Sequence, residues 1–194
     1  MTSFSNFTMR PVSTFSREEH FVIVNDESEF DYLQTCDLLK SKNSLSREFT
    51  DRILCSFKID YGMRTGVYAR GAFCDGREFW LSKLKNEKWY QPKNRVIFFQ
   101  SEIVGRIIPK SNFFANRYVS VEGLPELPCV NRNTPFFHRL QFSDALVLEL
   151  TLKSGKLLSL YNTVSLTVSK SLLDKFPWLV PAIATEFYSS AMLE

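Results

Sequence analysis

The sequence predicts a mainly β fold with helices, of the α+β class. Strands are favoured because the chain contains 18 Phe in 194 residues. Between Gly66 and about Phe114, short apolar runs are separated only by turn signals. Over residues 146–160, leucines alternate with other residues on both sides of a Lys-Ser-Gly-Lys turn. No helix separates the central runs, so the pattern excludes a doubly wound parallel sheet.

The first third of the chain changes character twice. Residues 1–18 are rich in Ser and Thr and show no period, which predicts a flexible leader. The run HFVIVND from His20 to Asp26 predicts a strand that ends in a turn. Residues 36–55 then take up a helical period and predict an amphipathic linking helix. Its apolar face consists of Leu38, Leu45, Phe49 and Ile53.

The rest of the chain alternates between strand and turn signals. An Asp75-Gly76 pair predicts a tight hairpin between the first two central runs. Several short strands within about 50 residues are typical of a small, strongly bent sheet or barrel. Three prolines limit regular structure over 118–137. Helical spacing after Pro181 predicts a C-terminal helix. The central strands are predicted at GVYARGAF, EFWLSKL, NRVIFFQ and IVGRIIP.

This order of elements resembles the extended Tudor domain of germline and small-RNA-pathway scaffold proteins. The matching pieces are HFVIVNDESEFDYLQ, the helix over 36–55, GVYARGAFCDGREFWLSKL with NRVIFF, and LPELP. The resemblance implies a small Tudor barrel embedded in a nuclease-like, OB-type barrel. The implied boundaries are an extended Tudor domain over 19–166, with the Tudor core at about 62–114 and the nuclease-like part from 19–60 and 118–166, and a C-terminal helical segment over 167–194.

The resemblance also implies an aromatic cage for methylated arginine, because ring faces attract large, weakly hydrated cations. The cage-like positions in this sequence are Phe73, Trp80, Phe98, Phe99 and Ser101. Ser101 stands where the family has a second aromatic residue, and Ile103 stands where it has an amide. The cage is therefore expected to be incomplete and to bind methylarginine poorly. The alternative hypothesis is a functional dimethylarginine reader that uses Phe73, Trp80 and Phe98, with Phe99 filling the gap. Ordinary barrel core is the alternative interpretation of the three rings Phe73, Trp80 and Phe98.

Single-stranded RNA binding is a rival hypothesis, because small barrels can stack bases on aromatic residues beside basic ones. The possible RNA or partner patch consists of Trp89, Tyr90, Lys88, Lys93 and Arg95. A solvated, lysine-rich loop explains the same residues without any function. The net charge of +3 gives no support to a strong electrostatic grip on nucleic acid.

The sequence indicates no catalytic, metal or cofactor site. Four cysteines and two histidines fall in no metal-binding pattern, and no nucleophile or phosphate-binding motif occurs. Without a signal peptide or a membrane-spanning run, a cytoplasmic location is expected; the resemblance adds perinuclear or germ granules. The expected function is a non-catalytic protein-interaction or adaptor module of a ribonucleoprotein or small-RNA silencing assembly. Its expected partner is a disordered or arginine-containing protein segment, with self-association or pairing with another Tudor-like module as alternatives.

Overall fold

The computed structural model describes residues 3–13, 18–25, 53–60, 67–83, 94–109, 117–129, 136–153 and 163–191. These residues form twelve β-strands and two α-helices, so the prediction of a mainly β fold with helices is confirmed. The strands are β1 Phe4–Ser13, β2 Glu18–Asn25, β3 Ile53–Asp60, β4 Val67–Phe73, β5 Glu78–Lys83, β6 Arg95–Phe99, β7 Glu102–Pro109, β8 Arg117–Ser120, β9 Leu127–Pro128, β10 Phe137–Ser143, β11 Leu146–Lys153 and β12 Thr163–Ser169. The helices are α1 Lys170–Lys175 and α2 Leu179–Ala191.

All twelve strands belong to a single antiparallel sheet that curls into a nearly closed barrel. The order of hydrogen-bonded neighbours is β10-β11-β12-β1-β2-β3-β4-β5-β6-β7-β8-β9. Strand β1 lies between β12 and β2, so the first and the last of the described strands are neighbours in the middle of the sheet. At the seam between β9 and β10, the imidazole Nε2 of His138 donates a hydrogen bond to the carbonyl oxygen of Pro128 at 2.7 Å.

Strict alternation of side chains decides which residues line the barrel interior. In β3, Cys55, Phe57 and Ile59 are buried inside, whereas the side chain of Lys58 is exposed on the outside. The period of two is the geometry of a strand with one face on a core. At Gly71 of β4 there is no room for a side chain, since a Cβ there would lie 2.4 Å from the Cβ of Phe57.

Helix α2 fills the barrel. Its residues from Leu179 to Ser189 are all buried, which is the behaviour of a helix that is surrounded on every side. The ring of Tyr188 packs edge-on against Phe21 of β2, with ring centroids 4.8 Å apart. The hydroxyl of Tyr68 on β4 and the hydroxyl of Ser189 are hydrogen-bonded inside the barrel. The interior of this twelve-stranded barrel is therefore occupied by a helix together with the side chains of the strands. None of the described helices is long and apolar enough to span a membrane.

The structure differs from the flexible leader that the sequence predicted over 1–18. Phe4–Ser13 form β1, whose backbone pairs with β12 from Phe4 to Met9 and with β2 from Phe7 onward. Phe7 and Met9 contribute two side chains to the core. Pro11 lies beyond the last pair with β12 and next to a bulge, a place where proline is tolerated in a strand. The driving force is burial of Phe7 and Met9, whose spacing of two residues is obscured in the sequence by the polar residues around them.

Two other predicted boundaries also shift. The linking helix over 36–55 overlaps the described residues only at Ile53–Cys55, which begin strand β3; the rest lies outside them. The C-terminal segment from 167 begins as strand, because β12 runs to Ser169, and becomes helical from Lys170. The strands predicted between 66 and 109 are present as β4 to β7, and they continue the same sheet as β3 and β8.

Candidate partner-binding surface on the barrel wall

The five cage-like positions divide between the two faces of the sheet. Phe73 and Phe99 point to the barrel interior, where the Phe73 ring also meets Phe79 at 5.6 Å. Trp80 and Phe98 point outward and are half-buried. Ser101 lies exposed in the turn between β6 and β7. The four rings therefore form two separate pairs, one on each face of the sheet, because neighbouring residues of a strand face opposite sides.

The outer pair is a flat aromatic stack on the wall. Trp80 of β5 and Phe98 of β6 are direct cross-strand partners. Their ring centroids are 5.0 Å apart and their planes differ by 9°, which is an offset-stacked arrangement. Each ring thus keeps one face free of the other. Aromatic residues of this kind, half-buried on a surface, are the usual anchors of protein interfaces.

Cross-strand pairing places this stack in a continuous row of outward-facing side chains. Lys58 pairs with Arg70, Arg70 with Trp80, Trp80 with Phe98, and Phe98 with Ile103. We call these five residues, Lys58, Arg70, Trp80, Phe98 and Ile103, the wall row. Ile103 is 59% exposed, an unusual position for an isoleucine in a strand. The wall row crosses five neighbouring strands, from β3 to β7.

Charge is distributed unevenly along the wall row. Lys58 and Arg70 lie at one end, and the Arg70 guanidinium forms an ion pair with Glu78 at 3.0 Å. His20 of β2 pairs with Lys58 next along the sheet. Burial lowers the pKa of His20, and the positive charge of Lys58 lowers that pKa further. The aromatic stack and Ile103 make the other end of the row apolar.

The inner pair of rings holds a cation from the chain itself. Phe73 and Phe99 meet at 85° with centroids 5.8 Å apart, so they form two walls of a corner. The guanidinium of Arg77 lies 5.7 Å from the Phe73 ring and 5.3 Å from the Phe99 ring, within cation–π range. The carboxylate of Asp75 holds Arg77 in this position. It forms an ion pair with the guanidinium at 2.7 Å and accepts a hydrogen bond from the backbone N–H of Arg77. Gly76 lies between the two residues, and its positive φ allows the tight turn.

Of the predicted RNA patch, Arg95 lies in the barrel interior. Its guanidinium pairs with Glu186 of α2 and lies 3.4 Å from the centre of the Tyr68 ring. The pKa of Arg95 is lowered to about 10, mainly because the group is buried; Tyr68 opposes this shift and the neighbouring Arg117 adds to it. Arg95 is thus unable to line an exposed patch. The other four members, Trp89, Tyr90, Lys88 and Lys93, lie outside the described residues.

Cysteines and histidines do not assemble into a metal centre within the described residues, where no group of three or more His, Cys, Asp or Glu could hold an ion. Burial raises the pKa of the Cys55 and Cys129 thiols, which keeps both protonated at neutral pH. Both are therefore packing residues of the core.

Sequence reasoning missed Lys58, Arg70 and Ile103 as members of the surface. Arg70 could have been found, because the Asp75-Gly76 hairpin sets the register that places it opposite Trp80. Ile103 could have been found in the same way from the turn after Phe99. No local signal identifies Lys58, since the pairing of β3 with β4 crosses a longer connection.

The chain was compared with models of known protein families, with curated proteins and with solved structures, and none of them matches it.

Proposed function

We propose that this chain is a non-catalytic protein-interaction module that binds a partner segment on the outer wall of its barrel. The observation that carries the proposal is the Trp80–Phe98 stack, extended by the exposed side chain of Ile103. Stacked aromatic residues beside an exposed aliphatic one favour contact with another protein, since such groups dominate the energy of interfaces. The filled interior supports the same choice, because α2 occupies the space that a ligand inside the barrel would need.

A display screen of random twelve-residue peptides, followed by titration of the enriched peptides, tests the proposal. The Trp80→Ala, Phe98→Ala double variant is expected to bind them at least about tenfold more weakly than the natural chain, as loss of interface anchors does. Phe137→Ala is the matched control, because Phe137 is an aromatic residue that is 45% exposed elsewhere on the wall. Equal binding by the double variant and the natural chain, with unchanged thermal melting, would contradict the proposal.

A second candidate is a methylarginine reader that uses the inner rings. The observation that favours it is the guanidinium of Arg77 over Phe73 and Phe99, since the corner already accepts a cation of this chemistry. A peptide's methylated arginine would have to replace Arg77. Calorimetry with matched peptides, with and without dimethylarginine, on the natural chain and on Arg77→Gln, tests this. A methyl-dependent gain of tenfold or more in the variant supports the reader; none removes it.

From the resemblance we also propose a Tudor barrel embedded in a nuclease-like barrel, and an adaptor role in a small-RNA silencing assembly or germ granule. Their support is the order of strands between 66 and 109, whereas the continuous sheet from β3 to β8 favours one barrel over two.

Single-stranded RNA is a third possible ligand, supported by Lys58 and Arg70 beside the stack. Filter binding across a salt series tests it, and the absence of salt-dependent retention would exclude it.

A further inference from the structure

We infer that the wall row selects a partner segment with an acidic block at one end and an apolar block at the other, lying across the strands. This inference rests on the proposed function and names the chemistry of the partner. It starts from the order of the five side chains: two cations, two stacked rings and an isoleucine, each a cross-strand neighbour of the next.

The length of the row sets the length of the segment. From β3 to β7 there are four strand intervals, and at about 4.8 Å each they span about 19 Å. An extended chain covers that distance with about six residues at roughly 3.3 Å per residue. The partner segment is therefore short enough to be a linear motif.

The basic end is able to take carboxylates. Arg70 is 67% exposed and its partner Glu78 is 51% exposed. Exposed ion pairs of this kind contribute little to stability, so a carboxylate from a partner can replace Glu78 as the acceptor. The side chain of Lys58, one strand further along, is also exposed and adds a second positive charge at the same end.

The apolar end is able to exclude carboxylates. Ile103 and the half-buried ring of Phe98 offer only carbon atoms to a partner. An acidic group placed on them would lose water without finding a cation in the row, whereas an apolar side chain packs on Ile103. The charges therefore determine which end of the segment lies on which strand.

A peptide fits this distribution better than a nucleic acid. Single-stranded RNA carries a phosphate at every nucleotide, so a strand laid along the whole row would bring phosphates to the apolar side chain of Ile103 as well as to Lys58. The two basic residues of the row, Lys58 and Arg70, stand at one end of it. The row thus lacks the continuous basic groove that tracks a nucleic-acid backbone.

The test uses three synthetic peptides with blocked ends, titrated by NMR against the full chain. The first is Glu-Glu-Ser-Gly-Leu-Leu, the second is its scrambled form Leu-Glu-Ser-Leu-Glu-Gly, and the third is Lys-Lys-Ser-Gly-Leu-Leu. The natural chain is expected to bind the first at least fivefold more tightly than the other two. Glu78→Gln is expected to bind the first peptide more tightly still, because Arg70 then has no competing partner in Glu78.

The decisive experiment reverses the charges of Lys58 and Arg70 at the basic end of the wall row. The Lys58→Glu, Arg70→Glu variant is expected to reverse the preference and bind the lysine peptide more tightly than the glutamate peptide. Thermal melting checks that the variant is folded; if it is not, the single change Lys58→Glu serves. Equal affinity of the natural chain for all three peptides, or a preference for the lysine peptide, would overturn the inference.

The same titrations separate this inference from the proposed function. If block order and charge make no difference but Trp80→Ala, Phe98→Ala still weakens binding, only the partner chemistry is wrong. If the double variant binds every peptide as well as the natural chain, the wall row is not the binding surface and both proposals fail. Binding of an eight-residue oligouridylate without binding of any peptide would also overturn both.

Discussion

Glu186 is the single charged residue of α2, and it decides how the helix is held inside the barrel. Its carboxylate is fully buried and pairs with both Arg95 of β6 and Arg117 of β8. Burial lowers the pKa of Arg95 to about 10 and lowers that of Arg117 as well, yet both stay charged at neutral pH. One buried and one partly buried guanidinium group thus share one carboxylate, which ties two strands to one point of the helix.

Neutralising this carboxylate is expected to destabilise the fold strongly. Glu186→Gln removes the counter-charge from the buried Arg95 and the partly buried Arg117, and breaking a buried pair in this way costs about 3–5 kcal/mol. The free energy of unfolding, measured by urea denaturation, checks the prediction. Glu149→Gln is the matched control, because Glu149 pairs with Arg139 at 3.2 Å on the half-exposed wall. The control is expected to lose less than about 1 kcal/mol; equal losses would contradict the account.

At the scale of elements, the hairpin between β6 and β7 is unusual. Gln100 and Ser101 both have positive φ, at 50° and 73°, between the paired residues Phe99 and Glu102. A two-residue turn with two positive φ values matches the twist of the strands, but it favours Asn followed by Gly. The chain therefore keeps a strained turn beside the apolar end of the wall row.

Relieving this turn is expected to stabilise the protein without changing any residue of the wall row. The double change Gln100→Asn, Ser101→Gly should raise the free energy of unfolding by about 1 kcal/mol, because these residues adopt positive φ at lower cost. Denaturation of the variant against the natural chain measures the gain. Gly76→Ala tests the same physics in reverse: Gly76 has φ of 87° with open space around it, so strain alone should destabilise the variant. A loss of stability in the Asn-Gly variant would show that the turn is not strained.

At the scale of the whole molecule, a histidine links the two edge strands of the nearly closed barrel. His138 of β10 donates to the Pro128 carbonyl of β9, and these two strands lie at opposite ends of the sheet order. Burial lowers the pKa of His138 below the ordinary value of 6.5, although the bond to Pro128 partly opposes the shift. The pKa of His20 is lowered in the same direction by burial and by Lys58.

The folded state is therefore expected to lose stability as the pH falls through the histidine range. Both imidazoles have a lower pKa in the folded chain than in the unfolded chain, so below about 6.5 the unfolded chain binds more protons. Stability contributed by the neutral imidazoles is complete above that pH and declines beneath it. Thermal melting between pH 7.5 and 5.5 measures the decline. His138→Gln and His20→Gln should each flatten the curve, and an unchanged curve in both variants would contradict the assignment.

The sequence by itself determined those features that depend on neighbouring residues. Period-two runs and turn residues located β4 to β7 and β11, and the Asp75-Gly76 pair set the register of one hairpin. The C-terminal helix that contains Pro181 was also predicted from the sequence, because helical spacing is a local property. Trp80 and Phe98 were both named from the sequence as cage-like positions, and in the structure their rings stack on the outer face of the sheet.

Only the tertiary structure decided which of these pieces share a face, an edge or an interior. The pairing of β12 with β1, the ion pairs of Glu186 with Arg95 and Arg117, and the place of Lys58 in the wall row all join residues far apart in the chain. Local periodicity is silent about such contacts, because many strands offer equivalent edges and one-sided apolar faces. The choice among them is made by the barrel as a whole, which buries α2 when the strands close around it.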